Sequence, residues 1–144
     1  MISSKIVITP QINKNPLNIS KQKIKKIFKE HGIVIIRGYL FNEKLFHKFA
    51  SFFTKRFSVE TNRRKKTKID QINHVDPGFQ KMSLHSEASF SPTWPEVIWF
   101  YGKEVSTKFG ETTICDGNQL WNLLNYKTKE FLKSNLLEFA IKSD

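Results

Sequence analysis

Apolar residues recur along this chain with two different periods, and the switches between them outline its elements. Ile6 and Ile8 alternate with polar neighbours before Pro10 and Pro16, which predicts an opening strand followed by a loop. From Ser20 the period lengthens. Ile24, Ile27 and Phe28 share one stripe, while Lys21, Lys23, Lys25, Lys26 and Lys29 fall elsewhere. That pattern predicts an amphipathic helix capped by Ser20 and stopped by Gly32. Ile33-Val34-Ile35-Ile36 is a continuous branched run, expected as a buried strand with no polar face. Asn42 then caps a second helix, whose Leu45, Phe46, Phe49, Phe52 and Phe53 form an aromatic core face.

Beyond Glu60 the chain turns polar through Arg63-Arg64-Lys65-Lys66-Thr67-Lys68, the composition of a solvated loop. Ile69 to Val75 is expected as a strand, ended by the turn signal Asp76-Pro77-Gly78. After a Ser- and Pro-rich loop over Ser89 to Pro95, Val97-Ile98-Trp99-Phe100-Tyr101 is the strongest strand pattern in the sequence. A turn around Gly110 leads to a short strand, Thr112 to Cys115. A helix starting near Asp116 carries Leu120, Trp121, Leu123 and Leu124. Thr128 is the expected cap of a further helix, and Leu136 to Ile141 reads as a last strand. No internal repeat or linker interrupts this order.

Composition narrows the classes. A chain of 144 residues is expected to form one domain over 1–144. At that length it can withdraw roughly two-thirds of its unfolded surface from water. No run approaches the roughly 20 apolar residues that span a bilayer, and the N-terminus lacks a signal-peptide pattern. The single cysteine, Cys115, can form neither an internal disulfide nor a thiolate metal cluster, so a reduced, cytoplasmic setting is expected. The net charge of +11 is less telling than it looks. Twenty of the 24 basic residues are Lys, alongside abundant Ile, Asn and Phe, the bias of an A/T-rich coding sequence. The remaining basicity favours anions in general. A basic nucleic-acid-binding module built on Arg63 to Lys68 is the alternative reading, but no helix-turn-helix, zinc or RNA-recognition pattern accompanies it.

Candidate chemistry rests on the histidines. His31 ends the first helix, where its partial charge suits the helix C-terminus. His47 lies one residue off the Phe stripe and is expected at the surface. His74 precedes a turn, and its role is open. His85 differs, because Glu87 follows two residues later in Leu84-His85-Ser86-Glu87. In an extended segment such a pair faces one side, the geometry of two adjacent ligands on a divalent metal. A neutral imidazole with a carboxylate suits Fe(II), and a face of two histidines and one carboxylate leaves positions open for substrate and oxygen.

The surroundings of this pair carry a resemblance. Leu84 to Phe90, then Pro95 to Tyr101, then Gly110-Glu111-Thr112-Thr113-Ile114-Cys115-Asp116-Gly117 is similar to the TauD/TfdA family of Fe(II)- and 2-oxoglutarate-dependent dioxygenases. In that family an H-x-D/E pair is followed by a proline, an aromatic-rich strand and a G-G-x-T-x-x-x-D segment. Gly32-Ile33-Val34-Ile35-Ile36-Arg37-Gly38 resembles the family's N-terminal G-x-x-x-x-R-G strand. The resemblance covers about residues 30–125. It implies that His85 and Glu87 are the first two iron ligands and that the Thr112 hydroxyl hydrogen-bonds 2-oxoglutarate. Glu at the second position resembles the branch acting on amino acids and related small molecules. Asp116 and Gly117 match a structural turn.

The resemblance implies an α+β fold, a partial double-stranded β-helix (jelly-roll, clavaminate synthase-like) with the N-terminal helices packed on its sheet. The implied partners are a small-molecule substrate and molecular oxygen, with no membrane. Two departures stand out. Phe109 replaces the first glycine of the Gly-Gly pair. After Thr112 the chain contains no His and no Arg, whereas the family has a distal histidine as third ligand and an arginine pairing with the 2-oxoglutarate carboxylate. Lysines are poor substitutes for a bidentate guanidinium. The sequence thus looks like the N-terminal half of the enzyme, truncated at its C-terminus. It is expected to be inactive by itself, and a second copy or a complementing chain is the partner its uncovered sheets would favour.

Overall fold

The computed structural model describes residues 3–58, 67–69, 71–75, 82–88, 94–105, 107–108, 110–136 and 138. They divide into two compact units, Met1–Lys81 with Trp99–Lys108, and Met82–Ile98 with Phe109–Asp144. The architecture is α+β. In the first unit a 3-10 turn at Ser4–Ile6 leads into β1 (Val7–Ile8), and another at Pro16–Asn18 leads into α1 (Lys21–His31). β2 (Ile35–Ile36) and α2 (Glu43–Ser51) follow.

Local chemistry sets the helix limits. Ser20 Oγ accepts the Lys23 N–H at 3.3 Å, and Asn42 Oδ1 accepts the Leu45 N–H at 2.8 Å, each satisfying a donor that has no partner within its helix. Gly32 ends α1 at φ +69°, returning its N–H to the Phe28 carbonyl at 2.8 Å. α2 stops at Ser51, so Phe52 and Phe53 lie beyond it, although the Phe stripe continues.

β1 and β2 pair in parallel, with Val7 opposite Ile35 and Ile8 opposite Ile36. Parallel neighbours need a long crossover, and α1 lies within it. The expected four-residue buried strand is therefore shorter and less buried. Only Ile35 and Ile36 pair, and Ile33 to Ile36 are all half-buried. A two-stranded sheet leaves each strand one unpaired edge, which accounts for the access. The core gathers Ile8 from β1, Ile19, Ile24 and Ile27 from the α1 region, and Phe49 from α2. Tyr39, Phe41, Phe53 and Trp99 pack around it.

The segment expected as the strongest strand has no ladder partner among the described residues, but it keeps a two-residue alternation. Trp99 Nε1 donates to Thr54 Oγ1 at 3.2 Å and the Tyr101 hydroxyl donates to the Phe41 carbonyl at 2.9 Å, while Phe100 between them is 56% exposed. Its side chains are thus fixed by packing and side-chain hydrogen bonds. Among the described residues of Ile69 to Val75, Asn73 makes an isolated bridge but no continuous strand forms. The Thr67 N–H reaches the Ile72 carbonyl at 3.2 Å and the Ile72 N–H the Ile69 carbonyl at 2.9 Å, which closes a turn where extended pairing was expected.

In the second unit, α3 (Gly117–Leu123) starts where Asp116 Oδ1 accepts the Asn118 and Gln119 N–H groups at 2.9 and 3.3 Å. α4 (Tyr126–Ser134) is capped by Asn125 and not, as expected, by Thr128. The Asn125 amide oxygen accepts the Thr128 N–H at 2.9 Å, which adds a first turn ahead of Thr128. Thr112 to Cys115 forms no ladder among the described residues, and most of the last expected strand, Leu136 to Ile141, lies outside them. No described residue of this unit is buried. Among the described residues no helix is long and apolar enough to cross a membrane.

Candidate functional site

His85, Glu87 and Thr112 all belong to the second unit. The His85 side chain is exposed, and its Nδ1 lies 2.8 Å from the Ser83 carbonyl oxygen. A carbonyl can only accept, so Nδ1 carries the proton. In the neutral ring the lone pair is then on Nε2, the nitrogen left to bind a metal. Glu87 is half-buried and starts a turn, and Ala88 after it adopts φ +51°. A non-glycine residue in that left-handed region is uncommon, and it redirects the backbone directly after the carboxylate. The segment is therefore not the uniformly extended one expected from the i, i+2 spacing. Thr112 is exposed and follows Gly110, whose φ of +84° supplies the left-handed position of the turn. Phe109 in place of a glycine leaves that requirement to Gly110.

One imidazole with a free Nε2 and one carboxylate suit an Fe(II) ion, but two ligands do not complete a facial triad. Among the described residues no three His, Cys, Asp or Glu side chains gather closely enough to hold a metal. His74 belongs to the first unit, where it is exposed and lines a cavity with Glu43, Thr67, Lys68 and Lys103. His31 ends α1 as expected, its Nε2 4.0 Å from the Glu30 carboxylate. His47 departs from the surface position expected of it. It is half-buried, its ring stacked 5.0 Å from Phe57, and its buried Nε2 finds no partner among the described residues. A position one residue off an aromatic stripe still borders the stripe, and Phe57, beyond the helix, covers it.

A second polar cluster was not legible in the sequence. Lys103 Nζ donates to Glu43 Oε1 at 2.9 Å across 60 residues of chain. This hydrogen bond, chiefly, holds the Glu43 carboxyl below its ordinary 4.5; partial burial opposes it, and the charges of Lys103, His74 and Lys68 reinforce it. The same bond pushes the Lys103 ammonium above its ordinary 10.5. No local spacing links the two residues, so no motif search could pair them.

The sequence model described as taurine catabolism dioxygenase TauD, TfdA family matches residues 9–139. The dapdiamide synthesis protein DdaC of Enterobacter agglomerans is 29% identical over 111 residues, 74% of this chain and 34% of that protein. The chain thus spans about a third of the length of that curated relative. No solved structure matches.

Proposed function

From membership of the TauD/TfdA dioxygenase family, to which the chain belongs by its match across residues 9–139, we propose that it forms part of an Fe(II)- and 2-oxoglutarate-dependent oxygenase. The substrate class we assign is a small molecule, an amino acid or related compound, in a cytoplasmic setting. The match across nearly the whole chain, with the His85-x-Glu87 pair inside it, carries this reading. That a relative is named as a synthesis protein for dapdiamide supports a small-molecule substrate.

In this reading His85 Nε2 and the Glu87 carboxylate hold the iron, and the Thr112 hydroxyl hydrogen-bonds 2-oxoglutarate. Bound iron would supply activation of oxygen, coupled to oxidative decarboxylation of 2-oxoglutarate to succinate and carbon dioxide. The chain's own contribution is positional. The Ser83 carbonyl fixes the His85 tautomer and ring, the kind of outer hydrogen bond that orients metal-bound histidines. The left-handed Ala88 turns the backbone away directly after Glu87. The distal histidine and the arginine of the family come, in this proposal, from polypeptide outside this sequence. Its two units are then parts of one jelly-roll domain, with Val97 to Tyr101 and Thr112 to Cys115 supplying strands of the double-stranded β-helix.

Anaerobic equilibrium dialysis with Fe(II) tests the ligand assignment. His85→Ala and Glu87→Ala should each bind iron at least about tenfold more weakly than the parent chain, since even outer-shell losses cost about 10–100-fold. Equal binding by parent and both variants would sink the assignment. Succinate release from 2-oxoglutarate by residues 1–144 should be no faster than by His85→Ala. Iron-dependent release that His85→Ala abolishes would show a complete triad within the chain or between two copies.

A further inference from the structure

The cavity around Glu43 and Lys103 is independent of the iron-site reading, and its chemistry points elsewhere. It has a volume of about 540 Å3 and is lined by Glu43, Thr67, Lys68, His74 and Lys103. A second cavity of about 510 Å3 shares Glu43 and Lys103 and adds Asn42, Lys44 and Tyr101. Among the described lining residues, three ammonium groups, Lys44, Lys68 and Lys103, and one imidazole thus meet one carboxylate. Glu104 acts on Lys103 only through its charge and lines neither cavity.

The Lys103 ammonium and the backbone at Lys68 are each held in place. Lys103 is fixed by its 2.9 Å bond to Glu43. Lys68 sits in a turn whose Thr67 Oγ1 accepts the Ile69 N–H at 3.1 Å and donates to the Ile69 carbonyl at 3.0 Å. The carboxylate of Glu43 already satisfies one cation, so a monoanion arriving beside it gains little. A ligand with two or more charges and several acceptor oxygens can engage Lys68 and compete with Glu43 for Lys103 at once, and lysine is an effective point-charge partner of phosphate.

We propose that this cavity binds a phosphate-class oxyanion through Lys68 and Lys103, with His74 and the Thr67 turn at its wall and Glu43 as the internal counter-ion it competes with. The rival explanation is non-specific attraction to a chain of net charge +11. Titration calorimetry of the full chain with inorganic pyrophosphate, at fixed low ionic strength, separates the two. The Lys68→Gln/Lys103→Gln variant should bind pyrophosphate at least tenfold more weakly. Lys25→Gln/Lys26→Gln, on the exposed face of α1 and carrying the same loss of charge, should change binding less than twofold. Glu43→Gln should bind several-fold more tightly. Equal weakening by the two double variants, or no weakening by either, overturns the proposal. Succinate bound as tightly as pyrophosphate overturns the phosphate assignment. A cooperative urea transition of Lys68→Gln/Lys103→Gln, complete only well above zero denaturant, confirms that binding, not folding, is read. If that variant is unfolded, the Glu43→Gln result decides, and unchanged or weaker binding there counts against the site.

Discussion

Phe49 offers the sharpest test of how the first unit is held together. Its side chain is 2% exposed. Its ring meets Phe41 edge-on at 5.6 Å and 82°, Trp99 edge-on at 5.9 Å and 88°, and Phe53 at 5.4 Å. Burying a Phe side chain is worth about 1.5–3 kcal/mol. Each well-oriented ring pair adds about 0.5–1.5 kcal/mol beyond burial. Truncation also leaves a void that its neighbours fill only in part, so Phe49→Ala should destabilise the unit by about 3–5 kcal/mol. With a urea slope of about 1.5 kcal/mol/M, the midpoint should fall by about 2–3 M. Tryptophan fluorescence is a suitable probe. Trp94 and Trp121 are exposed at 61% and 37%, whereas Trp99 is half-buried beside Phe49, so the unfolding signal reports chiefly on this core. Phe131, 60% exposed on α4, is the control, and Phe131→Ala should shift stability by no more than about 0.5 kcal/mol. A cost below about 1 kcal/mol for Phe49→Ala at an unchanged slope would refute this account of the core, given that cavity-forming Phe substitutions cost several times that.

Two further outcomes follow from particular contacts. Gly38 has φ +76°, and a Cβ there would lie 3.2 Å from Pro10 Cδ, so Gly38→Ala should lower stability by about 1–2 kcal/mol in urea melts, more than Gly117→Ala, whose Cβ meets nothing within 4 Å. Because the Glu43 carboxyl is held below 4.5 when folded, its stabilising contribution is complete above 4.5 and is lost as pH falls through the lowered value. The Lys103 contribution is complete below 10.5 and is lost as pH rises through its raised value. Glu43→Gln should therefore flatten the acid limb of a urea-midpoint profile measured against pH, and an acid limb identical to the parent's would show that the ion pair does not contribute there.

The sequence by itself determined the parts of this protein that are made within a few residues. Ser20 and Asn42 were legible as caps because a cap bonds an N–H only two or three positions away, Asp116 as the approximate start of a helix, and Gly32 because one residue's φ ends the helix. The His85-x-Glu87 pair and the Thr112 segment were legible as a motif for the same reason, since their spacing is written in the chain. The local rule misplaced the start of α4, expected at Thr128 and capped instead by Asn125. Tertiary structure alone decided the rest. The Val7–Ile35 and Ile8–Ile36 pairing spans α1, and the Glu43–Lys103 and Phe41–Tyr101 bonds span 60 residues each. It also decided that Val97 to Tyr101, strand-like in every local respect, is anchored by Thr54 and Phe41 and has no ladder partner among the described residues. Which apolar run finds a partner depends on what the folded chain brings beside it, and that information is carried by distant residues, not by the run itself.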